Sequence, residues 1–127
     1  MPLIDDQAMQ NIAGLSQLTY LNLDQAGVSG VQFGCLTGLP LTTLDLIGTQ
    51  TEDQAITHLL ELKQLINLDL GHTRITDASA SQLEKMTQLK SLNLSRTEIT
   101  DKTLEHLQSL PLQRLYVEST KVSDAGI

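Results

Sequence analysis

Residues 65–77, Leu-Ile-Asn-Leu-Asp-Leu-Gly-His-Thr-Arg-Ile-Thr-Asp, carry two patterns that belong to different elements. Leu65, Leu68 and Leu70 follow LxxLxL, the last two alternating with period two, as in a strand with one apolar face. Thr76-Asp77 then has the chemistry of a helix N-cap. The phrase recurs from Leu18, Leu41, Leu89 and Leu112, so successive starts are 23, 24, 24 and 23 residues apart. Both shorter units close in Leu-Pro-Leu, at residues 39–41 and 110–112, where proline tightens the return by one residue.

The second half of each unit is regular too. Phe33, Leu36, Leu39; Ile56, Leu59, Leu62; Ala80, Leu83, Met86; and Leu104, Leu107, Leu110 are spaced by three, which predicts a tight helical return. Residues 1–17 read as a repeat without its strand, with Ile4, Asp6, Met9, Ile12 and Leu15 standing where Ile99, Asp101, Leu104, Leu107 and Leu110 stand. Val122, Asp124 and Ile127 begin another helical segment. Strands so spaced lie side by side about 4.8 Å apart in a parallel sheet, with the helical returns on its other face. One repeat cannot bury its leucines; stacking buries them in a continuous column. Val28, Thr51, Ile75, Ile99 and Val122 are expected to point inward after each turn. Thr76-Asp77, Thr100-Asp101, Ser123-Asp124 and Glu52-Asp53 (through its Asp) are expected to cap the helical segments, with either residue of a pair able to be the cap. The Gly-rich stretch holding Gly30, Gly34 and Gly38 is expected to be the least helical return.

Composition supports a thin architecture. Phe33, Tyr20 and Tyr116 are the only aromatics, although 40% of residues are hydrophobic, so the core is built largely of leucine. A net charge of −7 argues against nucleic acid and anionic lipid, and makes a basic partner the expected one. The single cysteine, Cys35, has no internal disulfide partner. Asp5 and Asp6 stand where a signal peptide carries positive charge, and no apolar run is long enough to span a membrane, so the default expectation is a soluble cytoplasmic chain.

The recurring LxxLxLxxTxITD phrase resembles the leucine-rich repeat family, in the bacterial type with Thr at the usual Asn of the turn. It is also similar to the Cys-containing repeats of ubiquitin-ligase substrate adaptors, although Cys35 lies away from the position that class uses. The resemblance implies an α/β right-handed solenoid, a horseshoe with a parallel sheet on its concave face and short helices on its convex face. It implies a protein-binding scaffold rather than an enzyme, without cofactor or metal. Residues 1–17 are expected to act as a half-repeat cap and residues 18–127 to form about five repeats of 23–24 residues, the last incomplete. A chain cut from a longer protein is the expected origin of that ending, with the uncovered C-terminal edge a candidate for self-association. Thr in place of Asn offers fewer hydrogen bonds, so a weaker turn ladder is expected, most of all at Ala26.

Between the leucines, side chains face outward on the sheet. The columns read Tyr20, Thr43, Asn67, Ser91, Arg114; then Asn22, Asp45, Asp69, Asn93, Tyr116; then Asp24, Ile47, Gly71, Ser95, Glu118; and, in the turn, Gln25, Gly48, His72, Arg96, Ser119. The candidate partner surface is Tyr20, Asn22, Asp45, Asn67, Asp69, His72, Asn93, Arg96, Arg114 and Tyr116, because Tyr and Arg are common anchors. The bland alternative is that these residues solvate an exposed sheet. Asp45 and Asp69 flanked by His72 and Arg96 have the elements of an acid–base set, and the two carboxylates are candidates to bridge a cation. An open face without a nucleophile argues against the first, and too few ligands argue against the second. A spacer inside a larger protein is the remaining alternative. His58 and His106 are expected in solvent, and Cys35 as a small buried residue.

Overall fold

The structure, a computed structural model, describes residues 4–123. Five three-residue strands, β1 Tyr20–Asn22, β2 Thr43–Asp45, β3 Asn67–Asp69, β4 Ser91–Asn93 and β5 Arg114–Tyr116, pair in chain order in one parallel sheet. The register is the one the repeat spacing demands: Leu21, Leu44, Leu68, Leu92 and Leu115 are partners on adjacent strands. The ladder runs past the strands, since Leu23 N donates to Asp45 O, Leu46 N to Asp69 O and Leu70 N to Asn93 O, all at 2.8–2.9 Å.

The returns are short helices: α1 Met9–Ile12, α2 Ile56–Leu59, α3 Ala80–Leu83 and α4 Asp101–Leu107. Between β1 and β2 there is only a single 3-10 turn, Phe33–Leu36, in the Gly-rich stretch. Gly30 opens that return at φ +98°, and a Cβ there would stand 2.4 Å from Ala55 Cβ, so glycine is required both by the backbone and by the next repeat. Leu44, Leu65, Leu70, Leu89, Leu92 and Leu94 are fully buried, as are Val28, Thr51, Ile75 and Ile99 from the inward turn positions. Val122 is half-buried, and Asp124 and Ile127 lie outside the described residues. At the C-terminal edge Leu115 is 37% exposed, and a groove of about 520 Å³ runs between it and Leu104, Leu107, Leu110, Leu112 and Val117.

Within the Thr-Asp pairs the cap is the Thr, and the Asp has a separate task. Thr76 and Thr100 are the caps, accepting from Ala78 N and Lys102 N. The aspartate reaches forward instead, into the next repeat. Asp53 accepts from Thr76 N (2.8 Å) and Oγ1 (2.6 Å), Asp77 from Thr100 N (2.9 Å) and Oγ1 (2.5 Å), and Asp101 from Ser123 N (2.9 Å) and Oγ (2.6 Å). Asp6 does the same to Ser29, which places residues 5–12 in the frame of a repeat. Asp53 therefore does not cap its own segment, and Glu52, which stands at the cap position, makes no capping bond. The carboxylate ladder is interrupted where Gly30 replaces the aspartate.

The turn threonines form a second set. Thr49, Thr73, Thr97 and Thr120 each donate Oγ1 to the carbonyl three residues back, Leu46, Leu70, Leu94 and Val117, at 2.6–2.8 Å. The hydroxyl closes the turn within its own repeat. Ala26 lacks that bond and keeps only the backbone one, Ala26 N to Leu23 O at 2.9 Å.

Candidate functional site

Outward side chains of all five strands line one groove of about 400 Å³ across the sheet. Tyr20 of β1 and Tyr116 of β5 stand at its two ends. Asp45, Asn67, Asp69, Asn93 and Arg114 lie between them, over the backs of Leu44 and Leu68. Seven of the ten candidate residues thus meet in one depression. Asn22 lies in the same column but outside that lining. His72 and Arg96 are set apart: they line a second depression of about 250 Å³, with Gln25, Ile47, Gly71, Asn93 and Ser95, along the turn edge of the same face.

The second column has a structural task that periodicity does not reveal. Asn22, Asp45, Asp69 and Asn93 each accept, through Oδ1, the backbone N–H two residues on, from Asp24, Ile47, Gly71 and Ser95, at 2.7–3.0 Å. Each is an Asx turn that ends its strand. One oxygen of every such side chain is therefore committed to the fold. Asp69 is committed twice, because Asn93 Nδ2 donates to its Oδ2 at 3.2 Å. Burial raises the Asp69 carboxyl above its ordinary value, against the opposing hydrogen bonds from Gly71 and Asn93; the charges of Asp45 and Asp24 add to the rise. Desolvation, more than the neighbouring carboxylate, is what perturbs this acid. In the first column Asn67 Nδ2 donates to Thr43 Oγ1 at 3.1 Å, while Tyr20 and Arg114 are exposed, as is Tyr116 of the second column.

The turn edge is a row of left-handed residues: Gln25 (φ 60°), Gly48 (71°), His72 (53°), Arg96 (59°) and Ser119 (55°). A side chain in that region costs roughly 1–2 kcal/mol. The first four are held by bonds to the following repeat: Gln25 N to Ile47 O, Gly48 N to Gly71 O, His72 N to Ser95 O and Arg96 N to Glu118 O, at 2.8–3.0 Å. Gln25, Gly48 and Ser119 are members of this edge that the candidate set omitted; the one available signal was glycine at Gly48 in an otherwise polar column. A Cβ on Gly48 would lie 2.2 Å from Gln25 Nε2, so the Gln25 amide occupies the space that glycine leaves.

Other singled-out side chains lie elsewhere. His58 and His106 are half-buried rather than in solvent, and His106 Nδ1 is 2.9 Å from Glu84 Oε2. Cys35 is half-exposed rather than buried, its Sγ 3.9 Å from Gln32 Oε1. Among the described residues no group of three or more His, Cys, Asp or Glu side chains is arranged to hold a metal, and no helix is long and apolar enough to cross a membrane.

Comparison with known proteins agrees with this architecture. None of the curated proteins matches the sequence. Among solved structures, the chain is similar to "Leiomodin-1 Actin-Binding Site 2", with a TM-score of 0.66 at 16% identity over 89% of this chain and 76% of that one. It is similar to internalin C2 from Listeria monocytogenes, with a TM-score of 0.63 at 22% identity over 98% of this chain and 61% of that one. It also resembles an internalin (inlF) from Listeria monocytogenes, with a TM-score of 0.53 at 20% identity over 91% of this chain and 46% of that one. At these identities the likeness is one of fold. The sequence itself matches the family described as Leucine rich repeat over residues 52–122, more than half of the chain, and the protein belongs to that leucine-rich repeat family.

Proposed function

We propose that this repeat domain binds a protein partner in the groove of its concave sheet. The observation that carries the reading is the groove itself, in which Tyr20, Arg114 and Tyr116 stand exposed around a polar floor containing Asp45 and Asp69. Large amphipathic anchors around a partly desolvated centre are what interface hot spots use. The net charge of −7 and the acidic floor favour a basic segment in that centre. A solved structure of the same fold carries an actin-binding site in its title, which supports a solenoid of this size serving protein binding. An enzymatic role has less support: the two carboxylates are spent partly on turns, and the groove is open along the sheet.

The test is positional crosslinking in cells of the source organism. A photo-crosslinking residue is placed at Tyr20, Asn67 or Arg114 on the concave face, and at Lys63, Gln82 or Glu105 on the helical side. A protein captured only from the concave positions supports the proposal. Capture only from the helical side refutes it.

A further inference from the structure

We propose that the turn edge formed by Gln25, His72 and Arg96 is an acid-accepting rim, so that the partner segment places an aspartate or glutamate there while its basic side chain lies over the Asp45–Asp69 floor. The inference rests on the concave-face reading and adds the partner's second charge.

The chain has 15 acidic and 8 basic residues, and Arg96 and His72 line one depression along the turn edge. Arg74 and Lys121 are paired, with Glu52 and Glu98. Arg96 and His72 are exposed on neighbouring repeats, and among the described residues neither side chain has an ion-pair partner or a hydrogen bond. Both project from a left-handed backbone pinned to the next repeat, so their positions along the edge are set by the ladder. The Gln25 amide joins them because Gly48 leaves room for it. Arg96 offers a planar fork of donors, His72 a ring N–H and Gln25 an amide N–H, a set suited to a carboxylate. Only one of the three carries a permanent charge, and Asp24, Asp69 and Glu118 lie close by in the columns. A monoanion is balanced by that charge; a phosphate dianion is not. The rim lies three residues beyond the acidic column, past the turn that ends each strand, at most about 10 Å away. A partner segment with a basic and an acidic side chain that far apart satisfies both columns at once.

The test is a nitrogen-15 NMR titration of the intact chain with three capped peptides: Lys-Ser-Ser-Glu repeats, and counterparts of equal length with only Lys or only Glu as charged residues. The Glu-only peptide should move the amide signals of His72, Ser95 and Arg96. The Lys-only peptide should move those of Asp45 and Asp69. The mixed peptide should move both sets and bind more tightly than either. His72→Gln with Arg96→Gln should abolish the rim response and weaken the mixed peptide roughly tenfold, the loss expected for one charge-assisted hydrogen bond, with the Lys-only response unchanged. Rim signals that ignore both Glu-containing peptides, or a double variant that binds the mixed peptide like the parent chain, would overturn the proposal. A rim response without any floor response to Lys would support the rim while removing the acidic floor from the parent reading.

Discussion

Replacing Asp77 is the sharpest probe of what couples one repeat to the next. Its carboxylate accepts from Thr100 N at 2.9 Å, Thr100 Oγ1 at 2.5 Å and Thr103 Oγ1 at 2.6 Å, all in the following repeat. Thr103 is fully buried, so Asp77→Ala leaves a hydroxyl without partner inside the protein. The two bonds to Thr100 are worth about 0.5–1 kcal/mol each and the orphaned hydroxyl about 1–3 kcal/mol, so a loss of about 2–5 kcal/mol is expected. With a urea slope of about 2 kcal/mol per molar, the unfolding midpoint should fall by about 1–2.5 M. Asp77→Asn retains one acceptor and should fall between the two. The pH dependence follows from the same bonds. Burial works to raise the Asp77 carboxyl, but the hydrogen bonds from Thr100 and Thr103 outweigh it and hold it below the ordinary value of 3.8. A carboxyl depressed in the folded state contributes stability that is complete above 3.8 and disappears as pH falls through the folded value. The stability difference between the parent chain and Asp77→Asn, measured by urea unfolding at successive pH values, should therefore shrink on acidification below that point. A difference that stays constant through the acid range, or an Ala variant whose midpoint does not move, would refute the bonding as described.

Other substitutions test separate parts of the structure. For Asp69 the sign is opposite: burial raises its carboxyl, so the parent chain should lose stability relative to Asp69→Asn as pH rises from 3.8 through the raised value, a trend visible in the same urea series. Thr97→Val keeps the shape of a buried side chain but removes the 2.6 Å bond to Leu94 O, and calorimetry should show a loss of about 1–3 kcal/mol. Leu68→Ala, at the centre of the stacked column and 2% exposed, should cost about 2–5 kcal/mol. Tyr20→Ala and Arg114→Ala, both exposed, should leave stability within about 0.5 kcal/mol while weakening partner capture, which separates binding from folding.

The strands were legible because an inward leucine at a fixed position in every repeat leaves one register in which all are buried. Leu44, Leu68 and Leu92 are cross-strand partners for that reason. The aspartates were not legible to the same degree. A carboxylate after Thr suits a helix cap and suits a bond to the following repeat, and only the stacked structure shows Asp77 choosing Thr100. The concave column misled in a related way. Asp45, Asp69 and Asn93 stand between the inward leucines, a pattern that reads as a surface free for a partner. Their Oδ1 atoms close the strand-end turns, so a change to a residue without an acceptor there disturbs folding as well as binding. At the turn position the Thr hydroxyl satisfies a carbonyl of its own turn, a partner the spacing alone does not name. Left-handed backbone at His72 and Arg96 had no local signature; it is imposed by the ladder they share with Gly48.

This double use of the second column also decides which groove carboxylate is available to bind. Asp69 gives one oxygen to Gly71 N and the other to Asn93 Nδ2, and burial disfavours its charge. Asp45 gives Oδ1 to Ile47 N, and among the described residues its Oδ2 has no donor. The two acids are register partners on adjacent strands, yet they are not equivalent. On the proposed reading, a cationic side chain entering the groove would meet a vacant acceptor at Asp45 and a satisfied one at Asp69, which would make Asp45 its anchor. Because Asp45→Asn keeps an oxygen for the Ile47 turn while removing the charge, it isolates that anchoring role from the fold.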